Sequence, residues 1–193
     1  MSEASQPEFI WAESVYEGWL CVRVVTYRSA AGETVRREVE DHGSAACVLP
    51  YDPERRTALL VRLPRAPMIL AGEPLSLEAP AGMLDDDEPE ACARREAMEE
   101  VGVRLDRLEP IAAVWPMPGV STERLHLFLA PYAGTDRTGQ GGGVEGESED
   151  ITVVEQPLTD LAAAADAGRL QDAKTLLLLT TLRLRRPELF TVG

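Results

Sequence analysis

Histidine, cysteine and basic residues are scarce in this 193-residue chain, and each scarcity excludes a class of site. With only two histidines and three widely spaced cysteines, the sequence lacks the Cys/His cluster of a zinc centre. Cys21, Cys47 and Cys92 form no C-x-x-C pair, which is typical of reduced thiols in a cytoplasmic protein. A net charge of −14 argues against a nucleic acid or an anionic membrane as a partner held by a basic face.

Long apolar runs are also missing. No stretch approaches the length of a membrane span, and the first residues lack the basic and apolar regions of a signal peptide. We therefore expect a protein without a membrane span or a secretory leader. With 45% hydrophobic content, the chain can bury one core, which predicts a single decorated domain.

Strand and helix patterns alternate irregularly along the chain, which predicts an α+β sandwich with a sheet between helices. An N-terminal β-hairpin, residues 17–28 and 34–41, forms an extension over residues 1–42, followed by a core domain over 43–193. The acidic, glycine-rich segment 134–150 is predicted to be a flexible linker or a mobile lid. Core strands are predicted at 44–49, 57–63, 75–79, 108–115, 124–130 and 151–154, and helices at 89–101, 158–167 and 172–184.

One predicted helix carries a cluster of carboxylates. It begins near Pro89 and ends at Gly102, and Glu96, Glu99 and Glu100 fall within an arc of about 100° on its surface. Carboxylates this close repel each other unless a cation lies between them, and such oxygen ligands suit Mg²⁺ or Mn²⁺. From these residues alone, a solvated acidic helix face is the alternative.

The spacing Arg95-Glu96-x-x-Glu99-Glu100-x-Gly102, after a glycine-containing acidic loop, resembles the signature of the Nudix hydrolases. The loop is one residue shorter than the family pattern, with Gly82 as the shifted glycine and Asp87 or Glu88 as the shifted acid. The resemblance implies an α/β/α sandwich and a divalent metal. Islands at 36–43, 81–92, 118–123 and 141–151 resemble the nucleotide-sugar branch, the ADP-ribose pyrophosphatase group, and within it bacterial GDP-mannose pyrophosphatases.

The resemblance also implies roles for individual residues. The metal ligands are the Ala81 carbonyl and the carboxylates of Glu96, Glu100 and Glu149. Glu149 is also the candidate general base, with Glu145 and Glu147 as competitors. Glu99 and Arg95 complete the catalytic set, Arg95 more plausibly by holding the acidic loop or the glutamates than by touching substrate. The implied substrate-binding residues are Trp19, Arg36, Arg37, Glu38, Arg65 and Glu123.

Without the resemblance, several of these residues have simpler interpretations. Trp19 is a plausible core residue of a strand, and Arg36 and Arg37 are plausible exposed edge residues. A solvated loop is an equally good description of the segment around Glu149.

We expect a Mg²⁺-dependent hydrolase, with Mn²⁺ as a possible substitute, that cleaves the diphosphate bond of a nucleotide sugar such as GDP-mannose or ADP-ribose. The alternatives are a catalytically silent sensor of nucleotide sugars and a broad-specificity housekeeping hydrolase of nucleoside diphosphate derivatives. The resemblance further implies a homodimer, because the N-terminal hairpin of this group crosses to a second subunit. The sequence does not determine which nucleobase is preferred or which phosphorus atom is attacked.

Overall fold

The computed structural model describes residues 6–73, 75–144, 146 and 150–191. The chain divides into two compact units. Residues 1–44 with 115–124 form the N-terminal unit, and residues 45–114 with 125–193 form the second. The predicted extension was residues 1–42 and the predicted core domain 43–193, whereas the segment 115–124 belongs to the N-terminal unit in the structure.

The N-terminal unit is a three-stranded antiparallel sheet of β1 (Glu8–Glu17), β2 (Cys21–Arg28) and β3 (Thr34–Asp41). The predicted hairpin omitted β1, and β2 begins at Cys21 because residues 18–20 form a turn. All ten residues of β1 are exposed, so no alternation of buried side chains marks it as a strand. The segment 115–124 pairs with the end of β3, where Glu40 N donates to Val120 O at 2.8 Å.

The second unit contains a mixed seven-stranded sheet. Its main strands are ordered β10-β5-β4-β9-β8, with β6 paired to β5 and β7 paired to β4. β4 and β9 run parallel, and the other pairs are antiparallel. The strands are β4 (Ala45–Asp52), β5 (Thr57–Leu63), β6 (Ser76–Glu78), β7 (Ala81–Met83), β8 (Glu109–Val114), β9 (Leu125–Pro131) and β10 (Thr152–Pro157).

Helices cover both faces of this sheet. The helices are α1 (Ala66–Ala71), α2 (Pro89–Val101), α3 (Leu158–Asp166) and α4 (Ala173–Arg185). Alternate residues of β4 point to opposite layers, so Cys47 and Leu49 join the cluster with α3 and α4, whereas Ala46 and Val48 join the cluster with α2. The predicted α+β sandwich is confirmed. The short helix α1, where a loop was predicted, has no buried residue, and its six residues are too few to show a helical period.

The described part of the glycine-rich segment does not behave as a linker. Gly142 N donates to Glu100 O at 2.9 Å and Gly143 N donates to Glu99 O at 3.0 Å. Thr138 N and Gly139 N both donate to Gly102 O. Carbonyls in the last turn of a helix lack partners within it, so residues 138–143 cap the end of α2. The prediction of a flexible linker is therefore wrong for these residues, whereas the alternative, a mobile lid, stays a prediction.

No helix among the described residues combines the length and the apolar character that crossing a bilayer requires.

Candidate active site

Helix α2 forms where its start and stop residues predict it. Pro89 occupies the first turn, where its missing N–H is not needed. Gly102 ends the helix in the left-handed region, with φ of 68°, and its N–H donates to Met98 O at 3.1 Å. A Cβ at Gly102 would also lie 2.3 Å from Gly139 O, so both the positive φ and the close contact require glycine at this position.

Two of the three predicted carboxylates on α2 are buried. Glu96 is 9% exposed and Glu100 is 4% exposed, whereas the Glu99 side chain is 32% exposed. Strand β7 passes directly against them. Glu100 Oε2 accepts a hydrogen bond from Ala81 N at 3.1 Å, and a Cβ at Gly82 would lie 1.9 Å from Glu96 Oε1. The glycine at position 82 is therefore what lets the β7 backbone approach the carboxylates.

Arg95 supplies positive charge beside these carboxylates. Its Nη1 lies 2.6 Å from Glu96 Oε1 and 3.1 Å from Glu99 Oε2. Although burial opposes the charged form, the Glu96 carboxylate raises the pKa of the Arg95 guanidinium, which stays protonated. Arg95 therefore pairs with two glutamates of α2, and its predicted role of holding them in place stays a prediction.

The shortened acidic loop is also anchored by Arg95. Its Nε donates to Asp87 Oδ2 at 3.2 Å, and its Nη2 donates to Met83 O at 3.3 Å. Of the two candidate acids, Asp87 makes this pair, while Glu88 is the N-terminal flanking residue of α2. Within this loop Asp85 adopts a φ of 48°, and Asp87 N closes the turn by donating to Leu84 O.

The donors on α2 and β7 fit a hard divalent cation in their chemistry. Glu96 and Glu100 lie one turn apart, they are buried, and the close approach of Gly82 brings a main-chain segment against them. Among the described residues, however, no three Asp, Glu, His or Cys side chains converge closely enough to share one ion. Glu149, the fourth predicted ligand and the candidate base, and its competitors Glu145 and Glu147 lie outside the described residues.

A buried ion cluster lies just before β7, and the sequence reasoning missed it. Glu78 at the end of β6 accepts hydrogen bonds from Arg65 Nε at 3.0 Å and Arg65 Nη2 at 2.9 Å. Its Oε2 also accepts from Lys174 Nζ, which in turn donates to Asp172 Oδ1 at 2.8 Å. The available signal was Glu78 itself, because a carboxylate within a short apolar strand needs cationic partners.

This cluster shifts the pKa of its central carboxyl strongly. Burial alone would raise the pKa of Glu78, but hydrogen bonds and charge from Arg65 and Lys174 lower it to about 2. Arg65, which was predicted to bind substrate, is therefore engaged with Glu78 in this structure, while its side chain stays 41% exposed.

Helix α4 is bonded to the segment that leads into β7. Ala79 N donates to Thr175 Oγ1 at 2.7 Å, and the Thr175 hydroxyl donates to Asp172, the N-terminal capping residue of α4. Val48 N donates to Pro80 O at 3.0 Å. The backbone before Ala81 is thus fixed from both sides.

The other predicted substrate residues belong to the N-terminal unit. Trp19 is 79% exposed and stacks on His42, and His42 Nε2 lies 3.8 Å from Glu123 Oε2. Trp19 is therefore not a core residue. Three further predicted residues, all exposed on β3, are Arg36, Arg37 and Glu38. The sequence did not single out His42, which links Trp19 to Glu123.

The chain matches a family model and several curated bacterial proteins. The NUDIX domain model matches residues 41–179. A GDP-mannose pyrophosphatase of Cronobacter sakazakii is 41% identical over 184 residues, which cover 92% of this chain and 95% of the relative. A GDP-mannose pyrophosphatase of Citrobacter koseri is 39% identical over 172 residues, covering 86% and 89%.

The fold also matches a solved structure. A crystal structure of an ADP compounds hydrolase superposes with a TM-score of 0.76, covering 97% of this chain and 98% of that one. At 18% identity, this likeness concerns the fold alone.

Proposed function

Because the chain belongs to the Nudix hydrolase family, we propose that it hydrolyses the diphosphate bond of a nucleotide sugar with the help of Mg²⁺. The observation that carries the proposal is the pair of buried carboxylates, Glu96 and Glu100, packed against Gly82. Relatives that are about 40% identical over most of their length are named GDP-mannose pyrophosphatases, so GDP-mannose is the first substrate. ADP-ribose is the second.

Nudix hydrolases generally require a divalent metal ion. We propose Mg²⁺, with Mn²⁺ as a substitute, because the donors are carboxylate oxygens. When bound, such an ion neutralises phosphoryl oxygens and activates water. Glu96, Glu100 and the Ala81 carbonyl would hold it. Arg95 supports this set by keeping Glu96, Glu99 and the acidic loop in place.

For the proton transfer we propose Glu149 as the base, with Glu145 and Glu147 as competitors in the same loop. Residues 142 and 143, which precede these glutamates in the sequence, are bonded to the main chain of Glu100 and Glu99. The described part of the segment thus reaches the helix of the proposed metal ligands, which supports the choice of a base from this segment.

For substrate binding, we propose the residues that the family resemblance implies. Trp19 offers an exposed indole for stacking on the nucleobase, and Glu123 offers a carboxylate for N–H or hydroxyl donors. Exposed guanidinium groups pair with phosphate through two parallel hydrogen bonds. We propose Arg36 and Arg37, both exposed on β3, for that contact, and Arg65 as a third guanidinium. Glu38, exposed on the same strand, is proposed as an acceptor for the base or a hydroxyl.

We also propose a homodimer formed through the N-terminal sheet. Strand β1 leaves large apolar side chains in solvent, including Phe9, Val15 and Tyr16, each more than half exposed. A second copy would cover them. The three cysteines are free, which supports a reducing, cytoplasmic compartment.

Incubation of the wild-type protein with GDP-mannose and with ADP-ribose at millimolar Mg²⁺ tests the function. We expect GMP with mannose 1-phosphate, or AMP with ribose 5-phosphate, and no release after chelation of the metal. Tight binding of an intact nucleotide sugar without turnover would instead identify a sensor. Equal cleavage of a whole panel of nucleoside diphosphate derivatives would identify a broad-specificity hydrolase.

A further inference from the structure

The side chain of Trp19 is exposed to solvent and yet is fixed by a stacking contact. It is 79% exposed, yet its ring lies nearly parallel to the His42 ring, with centroids 5.6 Å apart and planes inclined by 16°. This is the offset-stacked arrangement that aromatic pairs prefer. An indole fixed on one face and open to solvent on the other is a platform on which a second planar ring can stack.

His42 is itself fixed by a carboxylate at each ring nitrogen. Nδ1 lies 2.7 Å from Glu40 Oε2, and Nε2 lies 3.8 Å from Glu123 Oε2. Burial opposes ionisation of Glu40, but hydrogen bonds from Ser121 and His42 outweigh it and lower the pKa of that carboxyl. An ionised carboxylate can only accept, so His42 Nδ1 carries a hydrogen and donates it to Glu40. The ring orientation is thereby set.

The two carboxylates are tied to each other through the backbone. Glu40 N donates to Val120 O at 2.8 Å, and Thr122 N donates to Glu40 O at 3.0 Å. Glu123 N donates to Ser121 Oγ at 3.0 Å. The loop that carries Glu123 is therefore bonded to Glu40, near the end of β3 and two residues before His42.

We propose that His42 is the positioning residue of the nucleotide-binding surface, holding the Trp19 indole and the Glu123 carboxylate in one fixed relation. This role rests on the proposed function, because it assigns Trp19 and Glu123 to the nucleoside half of the substrate. A nucleobase stacked on Trp19 would bring its N–H groups, or the attached ribose hydroxyls, toward the Glu123 carboxylate. His42 sets the position of that carboxylate as well as that of the indole. His42 itself need not touch the ligand.

A purely structural histidine would behave differently on substitution. Because Trp19 is mostly in solvent, the stack buries little surface and contributes little to folding. Loss of His42 leaves the mostly buried Glu40 carboxylate without one partner, so some cost in stability is expected. Nucleotide binding should weaken beyond that cost, while the chemical step is preserved. The carboxylates on α2 belong to the other unit and keep their own contacts.

The fluorescence of Trp19 itself can be used to test this role of His42. The chain has three tryptophans, so a Trp11→Phe/Trp115→Phe background leaves Trp19 as the sole indole. In that background, GMP and AMP are titrated while Trp19 fluorescence and anisotropy are recorded. We expect His42→Ala to lower the anisotropy of the free protein. We also expect it to weaken binding of the better nucleotide about tenfold, which corresponds to about 1.4 kcal/mol.

Kinetics and a conservative variant separate positioning from folding. With GDP-mannose, His42→Ala should raise KM by a similar factor and leave kcat within about twofold, since binding rather than chemistry is affected. His42→Phe retains a ring against Trp19, and we expect it to restore most of the anisotropy.

Three results would overturn the proposal: nucleotide affinity unchanged in His42→Ala, a loss of thermal stability that accounts for the weaker binding, or no recovery of anisotropy in His42→Phe. Absence of GMP and AMP binding to the wild type would overturn it as well. Nucleotide binding without cleavage of any nucleotide sugar would refute the hydrolase function alone, since the affinity comparison still tests His42.

Discussion

Replacement of Glu78 by glutamine should destabilise the second unit by a predictable amount. The Glu78 side chain is 4% exposed and bridges Arg65 from the α1 region to Lys174 of α4. Its pKa is lowered from 4.5 to about 2, and since one pKa unit is 1.36 kcal/mol, its ionised form contributes about 3 kcal/mol to the free energy of unfolding. Removal of one partner from a buried ion pair has a similar cost.

The sign of the pH dependence follows from the lowered pKa. Above about pH 4.5 the carboxylate is ionised in both states, and its stabilising contribution is fully present. The contribution is lost as the pH falls from about 4.5 toward about 2, because protons then bind to the unfolded state first. Glu78→Gln lacks this contribution at every pH, so its deficit against the wild type should shrink on acidification.

Urea unfolding followed by far-UV circular dichroism measures this deficit. We expect Glu78→Gln to lose about 3 kcal/mol at pH 7 and less than about half of that at pH 3. Glu54→Gln is a matched control, because Glu54 is an exposed glutamate of the same unit. A deficit below about 1 kcal/mol at pH 7, or one that does not change with pH, would refute the assigned role of the Glu78 ion pair.

Two further substitutions test the backbone contacts around α2 and β7. Gly141 has φ of +68°, and a Cβ at this position would lie 2.5 Å from Glu100 O, so Gly141→Ala should lower the free energy of unfolding in urea by about 1–3 kcal/mol. Gly134→Ala is the control, because a Cβ at Gly134 meets nothing within 4 Å. Equal urea midpoints for the two variants would contradict the packing of residues 138–143 on the end of α2. Thr175→Val leaves Ala79 N–H buried without its acceptor and should cost about 1–3 kcal/mol by the same assay, whereas Thr175→Ser should recover most of it.

The parts of the fold that the sequence predicted are those with local signals. Strand β5 and helix α2 have the predicted bounds, because a turn, a proline or a glycine defines each end. Strand β1 was missed because all of its residues are exposed and it carries no buried face. The short helix α1 was missed because it has no buried residue and its six residues are too few to show a helical period.

For the candidate site, the sequence predicted the residues of α2 but not their neighbours. The positions of Glu96 and Glu100 follow from helical spacing alone. The pairing of Glu78 with Lys174 joins residues 96 positions apart, and that of His42 with Glu123 joins two different elements. Such contacts depend on how strands pair and helices pack, which local patterns do not encode.

Steady-state kinetics of Glu100→Gln test whether the carboxylates of α2 support hydrolysis of a nucleotide sugar. The amide keeps the size of the side chain but removes the charge that a divalent cation needs. With GDP-mannose and saturating Mg²⁺, we expect kcat to fall about a thousandfold or more, while circular dichroism and the thermal midpoint stay close to those of the wild type. A folded Glu100→Gln protein that retains kcat within about tenfold of the wild type would contradict the account.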